Sequence, residues 1–380
     1  MRGLASLPLL SLFGLTVAQD LGVPLNWRKF SNDRPDSEII SISEAAIDAI
    51  LPKLKADIGE FDGIGYWQSG NVWASMANED YRAGTSKYRD QVVSQLKNVF
   101  NLRANYDQWG VRCPSFLLFF YAFTQSNQFN DDATCVVTND AANSGSLPTK
   151  NFGFQGSCDG KTMAGGVFWK TDPADNAINS ITTTLYMTLS AYLGEATGDS
   201  KYISAAMLSA NWVRDLNMKD NLVLDTIHAN DCSRSPDNWL FTYNSGKFLE
   251  GLEILVDLTD DEGYRSLAAN VANSAMKTSA WNRDDGVITE GASPNENNDS
   301  VGFKSILIRA LDETYNRRKG DNEALRILIH SYVCVQMNAL LDLAADGNNY
   351  SSAWAGPAQG FTTWGQMAAL NVFVAAINAA

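Results

Sequence analysis

The sequence predicts an all-α protein of repeated antiparallel helical hairpins, roughly eleven or twelve helices in all, which suits a barrel of six hairpins. Two observations carry this. Apolar residues recur at three- and four-residue spacing through most of the chain, while alternating strand-like runs are scarce. The joints between helical segments also resemble one another, as internal repeats do.

Taken in order, Ser41 and Glu44 have the spacing of a capping box before Ala46, Ile50 and Leu54. Val92, Val93, Leu96, Val99 and Phe100 mark the next helix. Ile181, Leu185, Leu189, Tyr192, Leu193 and Ala196 outline another face. Phe303, Ile306, Leu307, Ala310, Leu311 and Tyr315 repeat it, as do Leu325, Leu328, Ile329, Tyr332 and Leu340. Met367, Leu370, Phe373, Val374 and Ile377 close the chain. Between them, Ala83-Gly84-Thr85-Ser86-Lys87-Tyr88 looks like Thr197-Gly198-Asp199-Ser200-Lys201-Tyr202. Thr259-Asp260-Asp261-Glu262-Gly263-Tyr264 and Lys319-Gly320-Asp321-Asn322 are looser copies. In each corner a glycine is expected to turn left-handed and stop one helix, and Asp or Ser to cap the next. The tyrosine one turn on is expected to pack beneath.

Residues 111–128 fit badly, being phenylalanine-dense without a clean helix face. Either a helix opens after Pro114 or the stretch is foreign to the fold, as a translated intron would be; sequencing the transcript separates the two.

Residues 1–18 read as a signal peptide: Arg2, an apolar run from Leu4 to Val17, then small residues before Gln19. A single domain over 19–380 is expected, because no linker-like stretch divides it. No later stretch offers 18 consecutive apolar residues, and no membrane anchor is expected. The 380 residues carry 43 acidic against 29 basic side chains, a formal net charge of -14. That field repels phosphate backbones, so nucleic acid is excluded as a partner; a neutral polymer is compatible with it. The expected state is a secreted, extracellular monomer. Five cysteines, Cys113, Cys135, Cys158, Cys232 and Cys334, allow at most two disulfides. With two histidines and no CxxC, neither a metal nor a cofactor is expected. Asn298-Asp299-Ser300 and Asn349-Tyr350-Ser351 are candidate glycan acceptors.

The chemistry available is carboxylates beside aromatics, the equipment for sugars: ring faces stack on Trp or Tyr, and Asp or Glu act as acid, base or nucleophile. Trp169 is the first candidate platform, because Gly165 and Gly166 would let its loop approach a ligand closely; core packing is the other reading. Trp67 and Tyr243 are further candidates, and Asn244 could bond a hydroxyl. Tyr243 can also be a core residue at a helix start, with Asn244 as its cap. Asp260-Asp261 reads as a corner, and Asp284-Asp285-Gly286 as a turn whose loop could face the cleft.

Gly165-Gly166-Val167-Phe168-Trp169, Asn176 and the helix ending in Thr197-Gly198-Asp199 resemble the central signature of glycoside hydrolase family 76. Phe241-Thr242-Tyr243-Asn244-Ser245-Gly246, Gly63-Ile64-Gly65-Tyr66-Trp67-Gln68 with Trp73, the Trp281 to Gly291 segment and the Asn371-Val372-Phe373 helix are similar in order and spacing, from about residue 40 to 378. The resemblance implies an (α/α)6 barrel and hydrolysis or transfer at α-1,6-linked mannose, in mannan or related cell-wall polymers. It also implies two adjacent aspartates within Asn-Asp-Asp-Gln. Here the match is Asn105-Tyr106-Asp107-Gln108: Asp107 takes the acid/base place, Asn105 lies beside the substrate, and Tyr106 stands where the nucleophile belongs. Asn130-Asp131-Asp132-Ala133 holds an intact pair but lacks the Gln. The resemblance further implies a Cys158–Cys232 disulfide. Of the other three cysteines, a Cys113–Cys135 pair with Cys334 as a buried apolar residue is one arrangement, and that pairing stays open. The function expected is that of a secreted glycosidase-like protein on α-1,6-mannan. The alternatives are a sugar-binding protein that has lost hydrolysis and a cell-wall transglycosylase.

Overall fold

The computed structural model describes residues 20–102, 138, 147, 149–236, 238–291 and 298–380. The signal segment, residues 111–128, Asn105, Tyr106, Asp107, the Asn130 to Ala133 run, Cys113 and Cys135 lie outside the described residues.

Among the described residues there are ten α-helices: α1 (Asp36–Ile50), α2 (Tyr66–Ala83), α3 (Arg89–Leu102), α4 (Ser180–Thr197), α5 (Ser200–Leu216), α6 (Thr242–Thr259), α7 (Glu262–Lys277), α8 (Asp299–Arg317), α9 (Glu323–Ala339) and α10 (Thr363–Ala379). They form two layers. The inner helices touch in the order α4, α6, α8, α10, α2, and outer partners α5, α7, α9, α1 and α3 pack behind them. The pairing of α1 with α10 brings the first and last described helices side by side.

Composition explains the layers. Inner α6 buries 14 of its 18 residues, all round its axis, and its small residues let neighbours approach. A Cβ on Gly246 would stand 2.8 Å from the Leu307 Cα of α8. Outer α7 buries one stripe, Tyr264, Ala268, Val271, Ala272, Ala275 and Met276, as an amphipathic helix does. Residues Glu323–Ala344 are long and apolar enough by composition to cross a bilayer, but 72% of that stretch is buried inside the molecule.

The corners behave largely as their sequences predict. Gly84 and Gly198 end α2 and α4 in the left-handed conformation (φ 68° in both), and Asp199 caps α5. Gly320 is left-handed as well, and Asn322 caps α9. In the third corner the left-handed residue is Asp260 (φ 52°), not a glycine; Asp261 caps α7, and Gly263 lies inside that helix. Tyr88, Tyr202 and Tyr264 are all buried beneath their corners. The capping box at Ser41 does not form. The N-cap of α1 is Pro35, six residues earlier, with Asp36 and Glu38 in the first turn, and the Ser41 hydroxyl donates to the Ser37 carbonyl at 2.8 Å.

The strands are short pairs in the connections: β1 (Leu54–Lys55) with β2 (Glu60–Phe61), β3 (Ser157–Cys158) with β4 (Lys161–Thr162), β6 (Met218–Lys219) with β7 (Leu222–Val223), and β9 (Ala345–Asp346) with β10 (Asn349–Tyr350). The pair of β5 (Ala177–Asn179) and β8 (Thr226–His228) joins two distant connections and sets the wall of the site.

Candidate functional site

A cleft of about 920 Å³ opens where inner helices α2, α4, α6 and α8 begin. Each start contributes side chains: Trp67 from α2, Ile181 and Thr182 from α4, Phe241 and Tyr243 from α6, Asp299 and Phe303 from α8. Asn179 caps α4 by accepting from the Thr182 amide, and Asn298 caps α8 by accepting from that of Ser300.

The floor is aromatic. Tyr243 stacks on Phe303 with ring centroids 3.9 Å apart, Phe241 meets both edge-on, and Trp67 lies 6.1 Å from Phe303. Gly302 makes room for this, since a Cβ there would stand 2.9 Å from the Trp67 ring. Two tryptophans rise from the walls half in solvent, Trp169 at 54% exposure and Trp239 at 49%. Rings held this way offer apolar faces to the C–H side of a sugar. The Trp169 loop is pinned by Lys150, whose ammonium donates to the carbonyls of Lys170, Asp172 and Asp175 at 2.8, 2.8 and 2.9 Å.

Among the described residues, two carboxylates line the cleft. Asp225 is buried and held by neutral donors: Asn244 Nδ2 at 3.1 Å, Thr226 Oγ1 at 3.0 Å and Asn179 Nδ2 at 3.4 Å. Asp299 is exposed, and its Oδ1 accepts from Gln68 Nε2 at 2.6 Å and Trp67 Nε1 at 3.2 Å. Burial pushes the Tyr243 phenol far above its ordinary range, and Asp225, Glu290 and Asp299 add to the shift, so it stays neutral. His228 Nδ1 lies 2.9 Å from Asn176 Oδ1. The Cys158–Cys232 disulfide links β3 to the loop after β8, a closure of 74 residues that in the chain-entropy picture contributes about 4 kcal/mol. Cys334 is a free, buried thiol.

Trp67, Trp169 and Tyr243 thus meet in one cleft. Asn244 does not reach it: fully buried, it orients Asp225 from beneath instead of facing a ligand. The Gly165-Gly166 pair has another purpose than the one expected. A Cβ on Gly165 would meet the Leu208 carbonyl at 2.3 Å, and one on Gly166 the Trp212 ring at 2.8 Å. The glycines seat the loop on outer helix α5, not on a ligand. The Asp284-Asp285-Gly286 turn packs on Trp27 and Gln336 and is not part of the cleft lining. Asp225, Asp299, Trp239, Phe241 and Phe303 escaped sequence reasoning. Phe241 opens the Tyr243 motif and Trp239 lies two residues before it, and Asp299 was visible only as the middle of a glycan-acceptor triplet.

Comparison with known proteins follows the same lines. The sequence profile described as glycosyl hydrolase family 76 matches residues 52–380. A curated relative from Candida glabrata, mannan endo-1,6-alpha-mannosidase DCW1, is 22% identical over 284 residues, which cover 68% of this chain and 60% of that protein's length. Among solved structures, an inactive variant of the α-1,6-mannanase of Salegentibacter sp. HEL1_6, with two consecutive aspartates replaced and α-1,6-mannotetrose bound, matches with a TM-score of 0.71 at 18% identity, covering 89% of this chain and 98% of that one. Dfg5 of Chaetomium thermophilum, in complex with glucosamine, matches with a TM-score of 0.69 at 16% identity, covering 92% of each chain. Likeness at this level establishes the six-hairpin helical barrel.

Proposed function

The chain belongs to glycosyl hydrolase family 76, and on that premise we propose that it binds α-1,6-linked mannose polymers in the cleft at the starts of the inner helices and hydrolyses them. The observation that carries the reading is the cleft itself: an aromatic floor, two half-exposed tryptophans, and a buried Asp225 held ready by neutral donors. The chemistry is that of a ligand with many hydroxyls and no charge. The names of the similar mannosidase and mannanase supply the linkage. We place the protein outside the cell, in contact with wall polymers, and carry over residues 19–380 as one domain.

For hydrolysis, Asp107 is proposed as general acid/base. A retaining glycosidase needs a second carboxyl about 5–5.5 Å from the first. In the Salegentibacter variant, the replaced aspartates are consecutive. By the resemblance of Asn105-Tyr106-Asp107-Gln108 to the family's Asn-Asp-Asp-Gln pattern, we read Tyr106 as standing where the nucleophile belongs. That substitution favours a second reading, in which the cleft still binds mannan but no longer cleaves it.

One comparison separates the two. The purified protein and its Asp107→Asn variant are incubated with α-1,6-mannan, and released sugar and binding are both measured. Turnover that vanishes in the variant supports the glycosidase; equal binding without turnover in either supports the binding protein. Absence of both binding and turnover in the parent protein sinks both.

A further inference from the structure

The start of α6 has a peculiarity. Its N-cap residue is Phe241, whose side chain has no oxygen to offer, so the first amides of the helix need an acceptor from elsewhere. Glu290 supplies it from 48 residues further along the chain. Its Oε1 accepts from the Thr242 amide at 2.9 Å, and its Oε2 accepts from the Thr242 hydroxyl.

Glu290 is itself held by α8. Lys304, fully buried, donates its ammonium to the main-chain carbonyl of Glu290 at 2.9 Å and to that of Val301 at 3.0 Å. Gly291, next in sequence, is left-handed (φ 62°) and lies so close to α8 that a Cβ would stand 2.2 Å from the Ser300 carbonyl. Lysine and glycine fix the backbone of residue 290, and the carboxylate is left to face α6. The circuit closes through the cleft floor, because Tyr243 follows Thr242 and stacks on Phe303, the residue before Lys304.

We propose that Glu290 is a positioning residue for saccharide binding: a remote cap that locks the start of α6 to that of α8 and so fixes the Phe241–Tyr243–Phe303 surface. Burial raises the Glu290 carboxyl and lowers the Lys304 ammonium, and the two charges offset each other across the loop. Tyr243 and Tyr332 feel the charge of this carboxylate, and both stay neutral because burial raises their phenols well above the ordinary range.

The saccharide arm of the test rests on the proposed function; the amide arm does not. Affinity for α-1,6-mannotriose is measured in the full chain, in Glu290→Ala, Glu290→Gln and Tyr243→Ala, and in the Glu290→Ala/Tyr243→Ala double variant. Hydrogen exchange at the Thr242 amide is followed in the same proteins without sugar. The expected result is about a tenfold loss of affinity in Glu290→Ala, from the usual worth of a helix cap. Glu290→Gln, which keeps an acceptor for the amide and a donor for the hydroxyl, should stay within about twofold of the parent. In the Tyr243→Ala background, Glu290→Ala should add less than about a further twofold loss, because the pair acts as one unit. The Thr242 amide should exchange faster in Glu290→Ala whether or not the parent binds the sugar. Should that variant fail to fold, Thr242→Val removes only the hydroxyl leg and reads the same coupling at smaller size. Wild-type affinity in Glu290→Ala, or a loss fully additive with Tyr243→Ala, overturns the proposal. A parent that ignores mannotriose while Glu290→Ala still frees the amide overturns the function, not the cap.

Discussion

Near the starts of the inner helices, the carboxylates of Asp225 and Asp299 are held by amides, a hydroxyl and an indole, all neutral. Further along the same helices the interior is built the other way. Arg82 bonds Asp312 at 3.0 Å, Lys247 bonds Glu250 at 2.6 Å, Arg309 lies 3.8 Å from that glutamate, and Arg318 reaches Glu253 at 2.7 Å. The difference teaches what each level is for. A buried charge with an opposite partner is cancelled, and the pair pins α2, α6 and α8 in one register at a cost in desolvation. A carboxylate held by neutral donors keeps its net charge and its orientation. On the proposed function, the interior governs stability and the cleft governs recognition.

The largest test of that division is Arg318→Met. It leaves Glu253 buried without its cation, and the loss in unfolding free energy should be about 4 kcal/mol by denaturant titration. Mannotriose affinity of the folded fraction should be unchanged. An equal loss of affinity would mean the two levels are not separate.

A middle-sized effect should come from Glu79. It is fully buried, its Oε2 accepts from the Ser43 hydroxyl, and its Oε1 has no hydrogen-bond partner among the described residues. Burial pushes its carboxyl up from 4.5 to about 7. Because the folded value lies above the unfolded one, its contribution to stability is complete below about pH 4.5 and is lost as pH rises through about 7. Between pH 5 and pH 9 the protein should lose about 2 kcal/mol from this group, and Glu79→Gln should flatten that slope. A slope unaltered by the substitution removes Glu79 as its source.

The smallest effect sharpens the cleft side. Trp169→Ala or Trp239→Ala should weaken mannotriose binding by about 1 kcal/mol each, read by titration calorimetry, and leave the unfolding midpoint in place. A shifted midpoint with unchanged binding would assign these rings to packing.

The frame of the molecule was legible because it rests on local rules. Gly84, Gly198 and Gly320 had to be left-handed for a helix to stop there, and Asp261 and Asn322 had to cap what followed. Even the exception at Asp260 kept its corner, since aspartate tolerates that conformation better than most residues. Ser41 misled because Pro35 fixed the helix start first. Trp169 reached the cleft for a reason the sequence hid, the seating of its two glycines on α5. Asp225 and Asp299 had no local signature. Their meaning comes from Asn244, Asn179, Trp67 and Gln68, which the barrel brings together from up to 232 positions away. Glu290 is harder still, because a cap contributed by another loop leaves no trace beside the helix it serves.

Four inner helices begin at the cleft, all pointing the same way. The aligned peptide dipoles of each put about half a positive charge at that end, and here they add. In a molecule of formal charge -14, those helix ends offset part of the negative charge that Asp225 and Asp299 bring to the mouth of the barrel. An oxygen that gains negative charge there would stand near the positive ends of these helices, with Asn179, Asn298 and Glu290 already accepting from the first amides of three of them.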